Sequence, residues 1–175
     1  MKHALIILSL IVISLSLGNN SSEVRDRAFV QSIEIKQDKN TIFADIKTFN
    51  NQDDYVGIGD DIQSCLDNAE LKQGKDLFTG HTELLIFQQD SFSFDILEVL
   101  VKERLISPNC PVILSSIEVN DFQNVLEILK SYDKQSKLDI LSVSSAIKNL
   151  RVDNSTEIPI LNDDLSFSVT QLDLF

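Results

Sequence analysis

The sequence predicts an α/β (α+β) fold, a mixed β-sheet of about five strands covered by helices in the order β-β-α-β-α-β-α-α-β. Three observations carry this expectation. Two early runs alternate apolar and polar residues with a period of two, later segments repeat apolar residues at helical spacing, and short apolar runs fall between those helices. Strands separated by helices need crossover connections and pair in parallel, whereas the leading hairpin is antiparallel, so the sheet is mixed.

The elements follow in order. In "AFVQSIEIK", residues 28–36, Phe29, Gln31, Ile33 and Ile35 alternate with Val30, Ser32, Glu34 and Lys36. "TIFADIKTF" repeats the alternation over 41–49, and "QDKN" between the two runs is turn chemistry. A polar loop is expected over 50–54. From Ile58, apolar residues recur at Ile62, Cys65, Leu66 and Ala69, as on a helix that buries one face. Gly74 and Gly80 bracket a connector, and "TELLIF" reads as a strand buried on both faces.

"SFDILEVLVKERLIS" places Phe94, Leu97, Val101 and Leu105 on one helical side, with Pro108 as a stop. "PVILSSI" is a further strand. Asn120 with Gln123 forms a capping-box pattern ahead of Phe122, Val125, Leu126 and Leu129. "LDILSVSSAIKNL" turns Ile140, Val143, Ile147 and Leu150 inward, and "TEIPIL" is a last short strand that Pro159 assigns to an edge or an end. The acidic tail over 163–175 alternates Leu165, Phe167 and Val169 and is expected to add an edge strand to the same domain.

Composition bounds the function. With 43% hydrophobic and 24% charged residues, the chain has the balance of one globular domain, placed here over residues 23–162. Its net charge of −12 repels phosphate backbones, and no basic cluster offsets it, so nucleic acid is not an expected partner. Oligomeric state is left open.

Residues 1–18 differ from the rest. Lys2 and His3 precede fifteen uncharged residues, "ALIILSLIVISLSLG", before the polar "NNSSEVRDR". This is the pattern of a secretory signal, with Ser16 and Gly18 as the small residues and cleavage after Gly18. As a helix the fifteen residues reach about 22 Å, short of a bilayer core of about 30 Å, which leaves an uncleaved N-terminal anchor as the alternative. Export makes a disulfide between Cys65 and Cys110 one option and two buried thiols the other.

Reactive constellations are scarce. His81, Cys65 and Cys110 lack the paired spacing of a zinc site, and the doublets Asp53-Asp54, Asp60-Asp61 and Asp163-Asp164 lack the order of a calcium loop. No metal and no cofactor are expected. "GIG" at 57–59 lacks the third glycine of a dinucleotide fingerprint and reads as a loop needing backbone freedom. His81 is the one candidate base of its type, and its structural reading is an imidazole whose nitrogens bond the preceding turn. No catalytic residue is assigned. An exported hydrolase would instead need two carboxylates in one groove.

One resemblance adds to this. "EVRDRAFVQSIEI", a second strand, and then "VGIGDDIQSCLDNAELKQGKDLFTGHTELLIF" resemble the N-terminal domain of the C subunit of bacterial spore germinant receptors, the GerAC family. An acidic-led segment runs into a strand through Asp26, Ala28, Val30 and Ile33. A lysine-led turn then brings Lys75, Phe78, Gly80 and His81 ahead of the strand Leu84 to Phe87. "PNCPVILS" and "EIPIL" fall in the matching order. Family members are lipoproteins with further domains; "LSLGNN" has no lipobox cysteine and the chain ends at Phe175, so a first domain alone, without lipid, is expected.

The resemblance implies a non-enzymatic exported domain that works in spore germination with membrane-embedded germinant-receptor-like subunits at the outer face of a membrane. An exported protein that binds a small nutrient is the alternative. Gly80 and His81 then read as a fold signature, with the glycine allowing the turn and the histidine tying it.

Overall fold

A computed structural model describes residues 27–49 and 54–174. Gly18, the leader over 1–18 and Asp26 lie outside the described residues. Within them the chain forms β1 (Arg27–Asp38), β2 (Thr41–Thr48), β3 (Tyr55–Gly59), α1 (Ile62–Gln73), β4 (Asp76–Phe78), β5 (Leu84–Gln88), α2 (Phe94–Lys102), β6 (Val112–Ser115), α3 (Phe122–Lys134), α4 (Val143–Asp153), β7 (Ser155–Leu161) and β8 (Phe167–Asp173). The mixed sheet and its helices match the expected class, but the strands number eight rather than about five.

The sheet order is β3-β2-β1-β5-β6-β7-β8. The four central strands run parallel, and antiparallel strands flank them on both sides. One edge of β1 is shared: Arg27–Phe29 pairs with β4, and Ser32–Ile35 pairs with β5. A bulge between Val30 and Ser32 interrupts the pairing with β2.

Two apolar layers sandwich the sheet. On one face Ile33, Ile35, Leu85, Phe87, Val112 and Ile158 meet α1, α2 and α4. On the other, Leu84, Ile86, Ile113, Leu161 and Phe167 meet α3 alone, through Phe122, Val125, Leu126 and Leu129. The β5 strand is buried on both faces, as its unbroken apolar run requires. A single helix on the second face covers β5, β6 and the adjoining ends of β7 and β8, and leaves β1, β2 and β3 without one.

Several local expectations are corrected. The helix read from Ile58 begins at Ile62, capped by Asp61 in a reciprocal capping box with Ser64, and Ile58 lies in β3. α2 buries Ile96, Leu97 and Leu100 and ends at Lys102, so Leu105 is 72% exposed and Pro108 is not the stop. α3 is capped by Asp121 through Asn124 N rather than by Asn120. α4 starts at Val143 and buries Val143, Ala146 and Leu150.

Pro159 is not at a sheet edge, because β7 lies between β6 and β8. Asn162 N–H donates to Ser166 O at 2.9 Å and Leu174 N–H to Asn154 O at 2.8 Å, so even-numbered residues of β7 and β8 bond each other. Pro159 faces away from β8, and pairing with β6 starts only at Ile160, so its missing N–H interrupts neither ladder.

Arg104 ties the segment after α2 to α1 and to the turn after β4. It reaches Asp67, Glu70 at 3.0 Å and Gln63 Oε1 at 3.1 Å, all on α1, while its carbonyl accepts from the Thr79 hydroxyl. Glu70 in turn accepts from Leu77 N–H of β4 at 3.0 Å. Glu98 of α2 pairs with Lys102 of the same helix at 2.7 Å and, between helices, with Arg151 of α4.

Candidate functional site

The uncovered half of the second face holds a groove of about 360 Å³. Strand parity builds its floor. Ile33 and Ile35 point into the helix-covered core, so Glu34 and Lys36 point the other way. Asp45 stands opposite Glu34 on β2, Phe43 opposite Lys36, and Val56 of β3 opposite Asp45. Gln88 at the end of β5 and the segment Glu118–Asn120, between β6 and α3, close the far side.

Glu34 is the fixed point of this groove. Its carboxylate accepts from Gln88 Nε2 and from Val119 N–H, at 3.3 Å to one oxygen and 3.2 Å to the other. Gln88 Nε2 also donates to Ile117 O at 2.8 Å, and Ser115 Oγ donates to the same carbonyl at 2.7 Å. The loop leading into α3 is thus fastened across the sheet to a carboxylate from the first strand. Burial is the largest influence on Glu34 and pushes its carboxyl pKa up, with Asp45 and Glu118 adding to the rise and the two hydrogen bonds opposing it.

That rise sets a pH signature. A carboxyl that holds its proton more tightly when folded favours the folded state most at low pH, and the advantage fades as pH rises through and above the ordinary value of 4.5. Glu34→Gln is expected to remove this falling component. Urea midpoints of both proteins across mildly acidic pH measure it, and parallel pH profiles would sink the assignment.

Asp45 has a separate set of contacts. Its Oδ1 lies 3.5 Å from Lys47 Nζ, and the same ammonium reaches Asp54 at 2.8 Å. The groove therefore contains the neighbouring carboxylates a hydrolase reading asks for, but Glu34 is occupied as a loop fastener and Asp45 leans on Lys47. Among the described residues no cluster of His, Cys, Asp and Glu has the shape of a metal site. Phe43, Val56 at 49% exposure and Ile58 at 42% give the half-face an apolar surface framed by charges.

The residues singled out in the sequence gather elsewhere, at the end of the sheet where β1 begins. Lys75 is exposed in the turn before β4, and Phe78 in β4 packs edge-on against Phe29, ring centroids 5.4 Å apart. His81 is exposed and, among the described residues, meets only the Phe78 ring, edge-on and also at 5.4 Å. Its nitrogens do not tie the turn. Thr82 does, donating to Thr79 O from its N–H at 3.0 Å and from its hydroxyl at 2.7 Å, while Glu83 N–H donates to Gln31 O at 2.8 Å. At Gly80 a Cβ would sit 3.2 Å from Phe78 Cζ, so the glycine keeps room for the aromatic rather than for an unusual backbone angle.

Cys65 and Cys110 are free, buried thiols in the larger core layer. Burial pushes Cys65 up to about 11 and Cys110 up to about 12, so neither is a nucleophile at neutral pH. The groove around Glu34 was missed in the sequence, where Glu34 is one polar position in an alternating strand. Its partner Val119 lies 85 residues away, and only the packing of α3 brings them together.

A family model described as the spore germination protein N-terminal domain, of GerAC type, matches residues 20–156. No curated protein and no solved structure matches the chain.

Proposed function

Because the chain belongs to the family of spore germination protein N-terminal domains, we propose that it is a non-enzymatic module acting in germination through protein contacts at the outer face of a membrane. Its partners on this reading are membrane-embedded germinant-receptor-like subunits, and the secretory pattern over 1–18 carries it out of the cytoplasm, either cleaved after Gly18 or retained as an anchor. On this reading the chain is not a lipoprotein, since "LSLGNN" offers no cysteine.

The observation that carries this proposal is the half-face bearing Phe43, Val56 and Ile58, which α3 leaves uncovered while it covers β5, β6 and the adjoining ends of β7 and β8. Monomeric proteins seldom leave such apolar sheet surface in water without a use for it.

The test is capture of the exported chain from detergent-solubilised membranes of its own sporulating cells, with a photo-crosslinker at Lys36, which lines the same groove and is exposed. Recovery of a polytopic receptor-like subunit, lost in Val56→Glu/Ile58→Glu, is the expected result. Crosslinking absent from every membrane protein, with germination unchanged in the double variant, would overturn it.

A second reading, binding of a small nutrient, draws on the same groove, which pairs the half-buried Glu34 with the apolar wall of Phe43 and Val56. It expects a thermal shift with a small cationic or zwitterionic nutrient that disappears in Glu34→Gln.

A further inference from the structure

The two edges of the sheet are treated differently. At the β3 edge, α1 covers the outward backbone: Ile58 N–H donates to Asn68 Oδ1 at 3.2 Å, and Lys72 Nζ donates to Val56 O at 3.4 Å. These contacts occupy two of the four outward groups of Val56 and Ile58 that an incoming strand would use.

At the β8 edge nothing comparable exists among the described residues. The even-numbered residues bond β7, so Phe167, Val169, Gln171 and Asp173 turn their N–H and C=O groups outward. The strand pairs with β7 over seven residues without a break in register. "FSVTQLD" contains no lysine, no proline and no bulge, the usual devices that block an edge, and Val169 is 50% exposed.

The groove beside this edge carries one sign of charge, while Lys137 lies over the Tyr132 ring that packs against Phe167 at the start of β8. A groove of about 510 Å³ alongside β7 and β8 is lined by Asp139, Asp153 and Glu157 beside Val169 and Gln171, and no Lys or Arg lines it. Asp163 and Asp164 stand at the entry to β8, and Asp173 ends it. A second copy of the chain, itself at −12, would bring like charge to like charge.

We propose that the outer edge of β8 is a docking site for a basic, extended segment of a partner protein, added to the sheet as a further strand. Backbone ladder bonds supply the docking geometry, and the acids along the groove select lysine and arginine. This inference stands apart from the role proposed for the Phe43–Val56–Ile58 face: it concerns the opposite edge and survives if that face has no partner.

Amide hydrogen exchange tests it, using as probe a short peptide alternating valine with lysine. In the free chain the amides of Ser168, Thr170 and Leu172 are expected to exchange slowly and those of Val169 and Gln171 quickly. Peptide at saturation slows Val169 and Gln171 by about tenfold or more. Val169→Pro deletes one outward N–H and no bond to β7, so it keeps the thermal midpoint and loses the protection. Should that variant misfold, Gln171→Lys gives the same loss by placing a cation on the edge. Unchanged exchange at Val169 and Gln171, equal protection by the glutamate version of the peptide, or protection already present in a free chain of dimer mass would each overturn the proposal.

Discussion

Gly57→Ala is expected to cost about 3 kcal/mol and to lower the thermal midpoint by about 6–12 °C. The reason is the contact between β3 and α1. A Cβ at residue 57 would lie 2.2 Å from Cys65 O and 2.9 Å from Cys65 C, both backbone atoms of a helix that cannot rotate out of the way. Relief requires α1 to move off the sheet, and α1 delivers Cys65, Leu66 and Ala69 to the core. Overpacking of a core by one methyl usually costs 1–3 kcal/mol, and a backbone clash belongs at the upper end of that range. Gly74→Ala is the internal control: it adds a methyl to open space at φ 66, and only its left-handed backbone is penalised, by about 1–2 kcal/mol. Melting curves of the two variants decide the matter, and a midpoint in Gly57→Ala equal to that of the unmodified protein would show that α1 does not sit as close to β3 as described.

The same contact explains why β3 was illegible in the sequence. In a half-buried strand the inward positions are ordinarily large and the outward ones polar. In "YVGIG" the inward residues are Tyr55 and two glycines, while Val56 and Ile58 point out. Close helix packing inverts the pattern, so the segment reads as a flexible loop running into a helix. The β1–β2 hairpin had no such complication and was readable from alternation alone, as was β5 from its unbroken apolar run. α2 was found but rotated, because Leu105 extends the apparent repeat beyond the point where the helix stops.

The functional surfaces were less legible than the fold, for a physical reason. A groove and an open edge are defined by which elements fail to cover them, and a helix on the second face cannot be located before the crossovers are known. Glu34 and the β8 edge become distinctive only once α3 is seen to reach some strands and not others. The turn with Gly80 and His81 was visible as an ordered feature, yet the residues that hold it are Thr79 and Thr82, whose hydroxyls look unremarkable in a connector.

Arg104→Ala is expected to cost about 2–3 kcal/mol, a large effect for a residue outside any helix or strand. The Arg104 side chain is 11% exposed and spans two partners on α1, Asp67 at 49% exposure and Glu70 at 22%. Truncation leaves Glu70 half-buried with Leu77 N–H as its remaining donor and removes the guanidinium from Gln63 as well. A fully buried pair broken from one side costs about 3–5 kcal/mol, and Asp67 rehydrates readily, which lowers the expected figure. Arg104→Lys is expected to recover less than half of the loss, since an ammonium cannot serve Asp67, Glu70 and Gln63 together as the planar fork does. Urea unfolding supplies both numbers, and a cycle with Glu70→Gln isolates the pair. Additive losses in that cycle would mean that Arg104 acts through Asp67, Gln63 and its methylene stem rather than through Glu70. A measurable coupling would make this one loop residue the clamp that holds β4, and with it the turn through Gly80 and His81, against the edge of β1.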